Sequence, residues 1–301
     1  MDRRTFLAAS MGGLTTLAGT PGVFAADKPK LKKAVKFGMV NIKGSTLQKF
    51  ELLAKLGFQG VEVDSPSNLN LEEALKASKA TGVKIHGVVD SAHWKDTLSS
   101  PDAEMRGRGL AALKTALDDA KFLGADTALL VPGVVKEGAT YEECWERSMA
   151  EVKKALPHAE KTGVKIAIET VWNNFITKPE QLIEYVDAFQ SPLVGAYFDI
   201  SNMLKYGVPA AEWIRKLGKR MLKFDFKGYS ITKAKAEKNE WAGFKVEIGE
   251  GDENWPEVLK ACGEVGYDTW ATAEVAGGGE ERLRFLSEKM DELLELTPKK
   301  K

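Results

Sequence analysis

The chain has 301 residues, 44% of them hydrophobic, and its 43 basic and 43 acidic side chains give a formal net charge of zero. That balance argues against a chain drawn by its own field to nucleic acid or to an anionic membrane, and it suits a small, weakly charged substrate. The length accommodates one large α/β barrel or two ordinary domains.

The opening segment MDRRTFLAAS places Arg3 and Arg4 ahead of a mild apolar run from Phe6 to Ala18. Val23-Phe24-Ala25 then offers a small-residue cleavage pattern, with the cut at Ala25/Ala26. Residues 1–26 are therefore expected to be a signal peptide. The run is too short and too rich in Gly and Thr for a spanning helix. RRTFL resembles the twin-arginine export signal, so the expected location is periplasmic or otherwise exported, with no stable membrane insertion after cleavage.

From Lys36 onward, strand-like and helix-like segments alternate. Strands are predicted at Lys36–Asn41, Gly60–Asp64, Val83–Val89, Asp126–Val131, Val164–Glu169, Leu193–Asp199, Met221–Lys227 and Thr269–Glu274. Helices are predicted at Thr46–Leu56, Leu71–Thr81, Asp102–Leu123, Tyr141–Thr162, Pro179–Phe189, Met203–Leu217, Trp255–Val265 and Glu280–Leu294. Several helices end in a glycine followed by an apolar run, as in Thr81-Gly82-Val83 and Thr162-Gly163-Val164, the turn chemistry of an αβ connection. The strands are apolar on both faces, as buried parallel strands are. The fold class is therefore α/β, a (β/α)8 TIM barrel in one domain over residues 35–296, with 297–301 a frayed basic tail. A doubly wound open sheet is the rival, but Asn41-Ile42-Lys43-Gly44-Ser45 lacks its glycine-rich phosphate turn. The one long insertion, Gly228–Asn254, follows the seventh strand. Cys144 and Cys262 fall in helices, with no zinc or disulfide spacing, and are expected to be buried free thiols.

Four acids end four successive strands: Glu169 in KIAIET, Asp199 in GAYFDIS, Asp225 in MLKFDFK and Glu274 in TWATAE. Strand C-terminal tips build the active site of such a barrel. In the seventh strand, alternation sends Leu222, Phe224 and Phe226 outward and Lys223, Asp225 and Lys227 to the axis. Converging carboxylates repel unless a cation holds them, and oxygen-only donors suit Mn²⁺ or Mg²⁺, with Co²⁺ or Zn²⁺ as further options. Candidate substrate contacts are Glu62 ending the second strand, His86 within the third, Trp94 in the loop after it, and Trp172 and Asn173 just after Glu169. For His86, Trp94 and Trp172 a packing role is an equal alternative. His158, mid-helix, is expected at the surface.

In order and spacing, GFQGVEVD, KIHGVV, LKTALDDAKFLGADTALLVPG, GVKIAIETVWNNF, YFDISN, LKFDFKGYS, EIGEGDENW and TWATAE resemble the xylose-isomerase-like barrels, the sugar phosphate isomerase/epimerase group. The resemblance covers roughly Val35 to Leu294. It implies a divalent metal held by a Glu, an Asp, a His and a Glu on strands five to eight. Glu169, Asp199 and Glu274 match three of these, and Asp225 stands where the family has its histidine. It also implies an acid/base pair, matched by Glu169 and Glu274, and assigns Lys227 to the family's lysine, holding a substrate oxygen or compensating Asp225. The implied activity is a metal-dependent sugar or keto-sugar isomerase or epimerase, abstracting a proton next to a carbonyl through a metal-stabilised enediolate. Alternatives are a lyase or hydrolase of 3-keto glycosides on the same site, and a non-catalytic sugar-binding barrel with a degenerate metal site. No arginine cluster marks a phosphate pocket, which favours an unphosphorylated carbohydrate. Homo-oligomerisation is left open.

Overall fold

The computed structural model describes residues 29–136 and 139–296. The predicted signal peptide and the basic tail lie outside the described residues. Eight parallel strands close into a barrel in chain order: β1 Lys32–Lys36, β2 Gly60–Ser65, β3 Lys84–Asp90, β4 Thr127–Leu130, β5 Lys165–Glu169, β6 Val194–Asp199, β7 Met221–Phe226 and β8 Trp270–Ala273. Around them run α1 Thr46–Lys55, α2 Leu71–Thr81, α3 Ala103–Leu123, α4 Tyr141–Thr162, α5 Pro179–Asp187, α6 Ala210–Leu217, α7 Ile231–Ala236, α8 Trp255–Val265 and α9 Glu280–Leu293. The TIM-barrel expectation is met. The short α7 belongs to the insertion between β7 and α8.

Local chemistry sets the element ends. Ser45 and Thr140 each accept from a backbone N–H three residues on, with Gln48 and Glu143 reaching back, so α1 and α4 begin in full capping boxes. Gly82 and Gly163 end their helices in the left-handed conformation that side chains disfavour, as their positions predict. The main core lies between the outward strand faces and the helices, as in the stacked pair Phe198–Trp213, with centroids 5.3 Å apart. Cys144 and Cys262 are buried and free, as expected, and burial pushes their thiols up to about 11 and about 12.

Three expectations are corrected. The first strand is Lys32–Lys36, not Lys36–Asn41. Its register pairs Lys36 with Glu62 and Val35 with Ala273, while Phe37–Met39 turns in a 3-10 helix. A Cβ on Gly277 would fall 2.1 Å from Met39 O, so that turn packs directly against the chain after β8. The sixth helix is shorter than predicted. Asn202–Tyr206 is a 3-10 turn that ends at Gly207, and α6 starts only after Pro209, because a residue preceding proline disfavours helix. In β7 the register jumps between Met221 and Lys223, so Leu222 bulges and packs toward Tyr197 rather than joining Phe224 outside.

Candidate active site

Register carries the site residues to one end of the barrel. Asp199 on β6 pairs with Asp225 on β7, and Tyr197 with Lys223, so these four face the axis while Phe198 and Phe224 face the helices. One carboxylate oxygen from each of Glu169, Asp225 and Glu274 lies within 4.8 Å of the others. Asp199, the fourth strand-end acid, is held differently. Its Oδ1 accepts from the backbone N–H of Ser201 and Asn202 at 2.9 and 2.8 Å, and its Oδ2 takes the Lys227 ammonium. Lys227 also reaches Glu274 Oε2 at 2.5 Å, tying together the strands on either side of its own.

A second cation, Lys36 at the tip of β1, enters the same space. Its Nζ is 2.5 Å from Glu62 Oε2 and 2.7 Å from Asp225 Oδ2. The Tyr197 hydroxyl completes this group, lying 2.7 Å from Asp225 Oδ1 and 2.9 Å from Glu62 Oε2. Space for Glu62 is built in: a Cβ on Gly87 would lie 2.5 Å from Glu62 Oε1. Lys36 and Tyr197 were not foreseen. An inward lysine at a strand end was the available signal, hidden because the first strand was expected to start at Lys36 and starts four residues earlier, at Lys32.

The charge balance is unequal. Five acids (Glu62, Glu169, Asp199, Asp225 and Glu274) face two ammonium groups (Lys36 and Lys227), a formal 2 − 5 = −3. Burial of ions without compensation is costly, so protonation absorbs part of the excess. Burial, then the Glu274 charge, pushes Glu169 well above the carboxylate range. Burial acts upward on Asp225 as well, but there the Lys36 ammonium 2.7 Å away pulls toward the ionised form. Burial also acts upward on Glu274, but Lys227 and Lys36 outweigh it and hold that carboxyl down at about 2. The neutral acid and the ionised one thus stand together.

The remaining sequence candidates divide. His86 lies deeper, its ring stacked on Trp270 at 4.3 Å and its Nδ1 3.6 Å from Glu62 Oε1. Burial, then Lys223 and Lys36, lowers its pKa well below normal, so it is neutral. Asn173 directs its whole amide to backbone: Nδ2 donates to Gly133 O, and Oδ1 accepts from Phe175 and Ile176 N–H. Trp172 donates Nε1–H to Asn202 O at 2.6 Å, and Trp241 and Phe244 of the insertion cover its ring. Trp94 is 54% exposed on the loop after β3, and Trp241, not anticipated, is 66% exposed. His158 is half-buried and lies 2.9 Å from Asp118. Glu253, also unforeseen, is buried in the insertion. Its Oε1 accepts from Ser201 Oγ and from Tyr229 N–H, and burial raises its carboxyl to about 7.

The donor set fits a hard divalent cation. It is all oxygen, and among the described residues the buried Glu169 carboxylate has no hydrogen-bond or ion-pair partner.

The Xylose isomerase-like TIM barrel family matches residues 50–295. The chain belongs to this family. It is 26% identical over 259 residues to an uncharacterized protein of Methanocaldococcus jannaschii, covering 80% of this chain and 84% of that one. It is 26% identical over 168 residues to L-ribulose-5-phosphate 3-epimerase of Escherichia coli, a match spanning 52% of this chain and only 59% of the epimerase. Among solved structures, 3-keto-D-glucoside 4-epimerase from E. coli superposes with a TM-score of 0.74 at 14% identity, over 88% of this chain and 99% of that one. The IolI protein with a binding zinc atom gives 0.72 at 18% identity, over 88% and 98%. At these identities the structural likeness establishes the fold. Sugar epimerases, which are isomerases in the broad sense, stand among the relatives of this barrel, and the IolI structure holds a zinc atom.

Proposed function

We propose that the protein is a metal-dependent epimerase or isomerase of an unphosphorylated sugar or keto-sugar, and that it acts in an exported compartment. The observation that carries this reading is the unpartnered, buried Glu169 carboxylate beside those of Glu274 and Asp225. Glu169 and Glu274, with Asp225 next to them, are the residues that would hold the ion. When bound, the ion polarises a sugar carbonyl and stabilises negative charge developing on its oxygen. Glu169 and Glu274, from strands on different sides of the barrel, supply two carboxylates for removing a proton from the carbon beside the carbonyl and returning one. Lys227 holds Glu274 and Asp199 in place and keeps Glu274 able to accept a proton. The 3-keto-D-glucoside 4-epimerase with the same fold supports a keto-sugar as the substrate.

The test is a Mn²⁺-supplemented screen of ketoses, aldoses and 3-keto glucosides in deuterated water, with products read by NMR. Solvent deuterium at the carbon beside the carbonyl is expected, and it should disappear in Glu169→Gln and Glu274→Gln. Turnover without deuterium uptake would sink the proton-transfer mechanism. Absence of any turnover would return the protein to a sugar-binding role.

A keto-glycoside lyase on the same site is the second reading. The exposed Trp241, set against Trp172 at 4.5 Å on the loop that follows β7, favours it. An aromatic ring there suits the second ring of a glycoside. Release of the aglycone from a 3-keto glucoside would identify this reaction.

A further inference from the structure

The Lys36 ammonium is placed where a metal ion and a fixed cation would claim the same ligand. Both Asp225 oxygens already have partners: Oδ1 lies 2.7 Å from the Tyr197 hydroxyl and Oδ2 lies 2.7 Å from Lys36 Nζ. Lys36 is anchored from the other side by Glu62 at 2.5 Å, and the Tyr197 ring lies 5.1 Å from its Nζ. These contacts leave it little freedom to swing away. Glu169, by contrast, has no side-chain partner among the described residues, and Glu274 is shared only with Lys227, near the open end. The three carboxylates are therefore not equivalent toward an incoming ion. An ion can take Glu169 without breaking an existing contact. Taking Asp225 requires breaking its pair with a buried ammonium, which would be left facing a divalent cation across a few ångströms of low-dielectric interior.

Resting on the metal reading above, we propose that Lys36 is a positioning residue that competes with the divalent ion for Asp225. It retains Asp225 as its own counter-ion and so sets the affinity of the centre. The ion is then held by Glu169 and Glu274, while the charge of Asp225 is neutralised by Lys36 and the acid makes no bond to the ion. Lys36 balances the acid at this position while keeping it out of the coordination shell.

The inference is tested by titrating Mn²⁺ calorimetrically into the EDTA-stripped full chain. Lys36→Met should bind Mn²⁺ at least tenfold more tightly than the parent, because Asp225 Oδ2 is released to the ion. Asp225→Asn alone should change the affinity by less than threefold. The double variant Lys36→Met/Asp225→Asn should lose the gain, a coupling that a purely structural lysine would not produce. Lys36→Arg, which keeps the charge, should bind like the parent. Parent binding together with equal or weaker binding by Lys36→Met would overturn this inference alone. So would a tenfold loss in Asp225→Asn, a result that stands even if Lys36→Met does not fold. Failure of both the parent and Lys36→Met to bind Mn²⁺ would overturn the metal reading and this inference with it.

Discussion

Lys227 Nζ lies 2.5 Å from Glu274 Oε2 and closes on Asp199 with the same ammonium, so a cation on β7 controls carboxylates on both neighbouring strands. Glu274 is held at about 2 because Lys227 and Lys36 outweigh the effect of burial. Lys227→Met should raise that value by about one to three pH units, the usual effect of losing a close opposite charge. A raised pKa means Glu274 stays protonated to higher pH, so activity is lost first on the acid side. The acid limb of kcat/KM should move upward by the same amount. A pH–rate profile with an unmoved acid limb would refute the assignment.

The Tyr197 hydroxyl lies within hydrogen-bonding distance of both Asp225 and Glu62 inside the barrel. Tyr197→Phe keeps the ring that packs with Leu129 and Ala167 and removes only that hydroxyl. Two buried carboxylates then lose a polar partner, which should cost about 1–3 kcal/mol of stability. Urea unfolding of the variant should show a lower midpoint at unchanged slope. Stability equal to the parent would mean that Lys36 alone satisfies both acids.

Glu253 gives a pH dependence of known sign. Its carboxyl is raised to about 7 from an ordinary 4.5, chiefly by burial, so the folded state favours the protonated form. The contribution to stability is therefore fully present below the unfolded value and is lost as pH rises through about 7. The whole effect is at most about 3 kcal/mol. Glu253→Gln cannot ionise, so it should gain stability relative to the parent between about pH 5 and pH 8. Thermal melts at several pH values measure this directly, and parallel curves for the two proteins would exclude a buried, neutral Glu253.

The proposed export rests on Arg3-Arg4 and the Val23-Phe24-Ala25 pattern. Replacing both arginines by lysine should trap the uncleaved precursor in the cytoplasm, as fractionation and N-terminal sequencing would show. A native protein found in the cytoplasm with Met1 intact would count against it.

The regular alternation of apolar runs with glycine-terminated helices made the barrel legible, because a helix C′ glycine and a doubly apolar strand are both local signals. Glu169, Asp199, Asp225 and Glu274 were legible for the same reason: each lies at a strand end or one residue from it. Lys36 was not, since its strand was read late and its importance comes from Glu62 and Asp225, 26 and 189 positions further along the chain. Nor was Tyr197, which reads as one aromatic in an apolar run until its hydroxyl is seen beside two acids. The bulge at Leu222 was equally hidden, because it is a property of two paired strands.

By itself the sequence determined the order of elements and the strand ends that carry acids. Periodicity and turn chemistry act over a few residues, so those features survive without a structure. Only the tertiary structure decided which acids are paired and which is free. Closing eight strands into a ring brings Lys36 to Asp225 and Lys227 to both Asp199 and Glu274, while Glu169 keeps no side-chain partner among the described residues. Charge acts through space across a buried barrel, so the pairing that sets the chemistry of each carboxylate follows from the closure and the register of the strands.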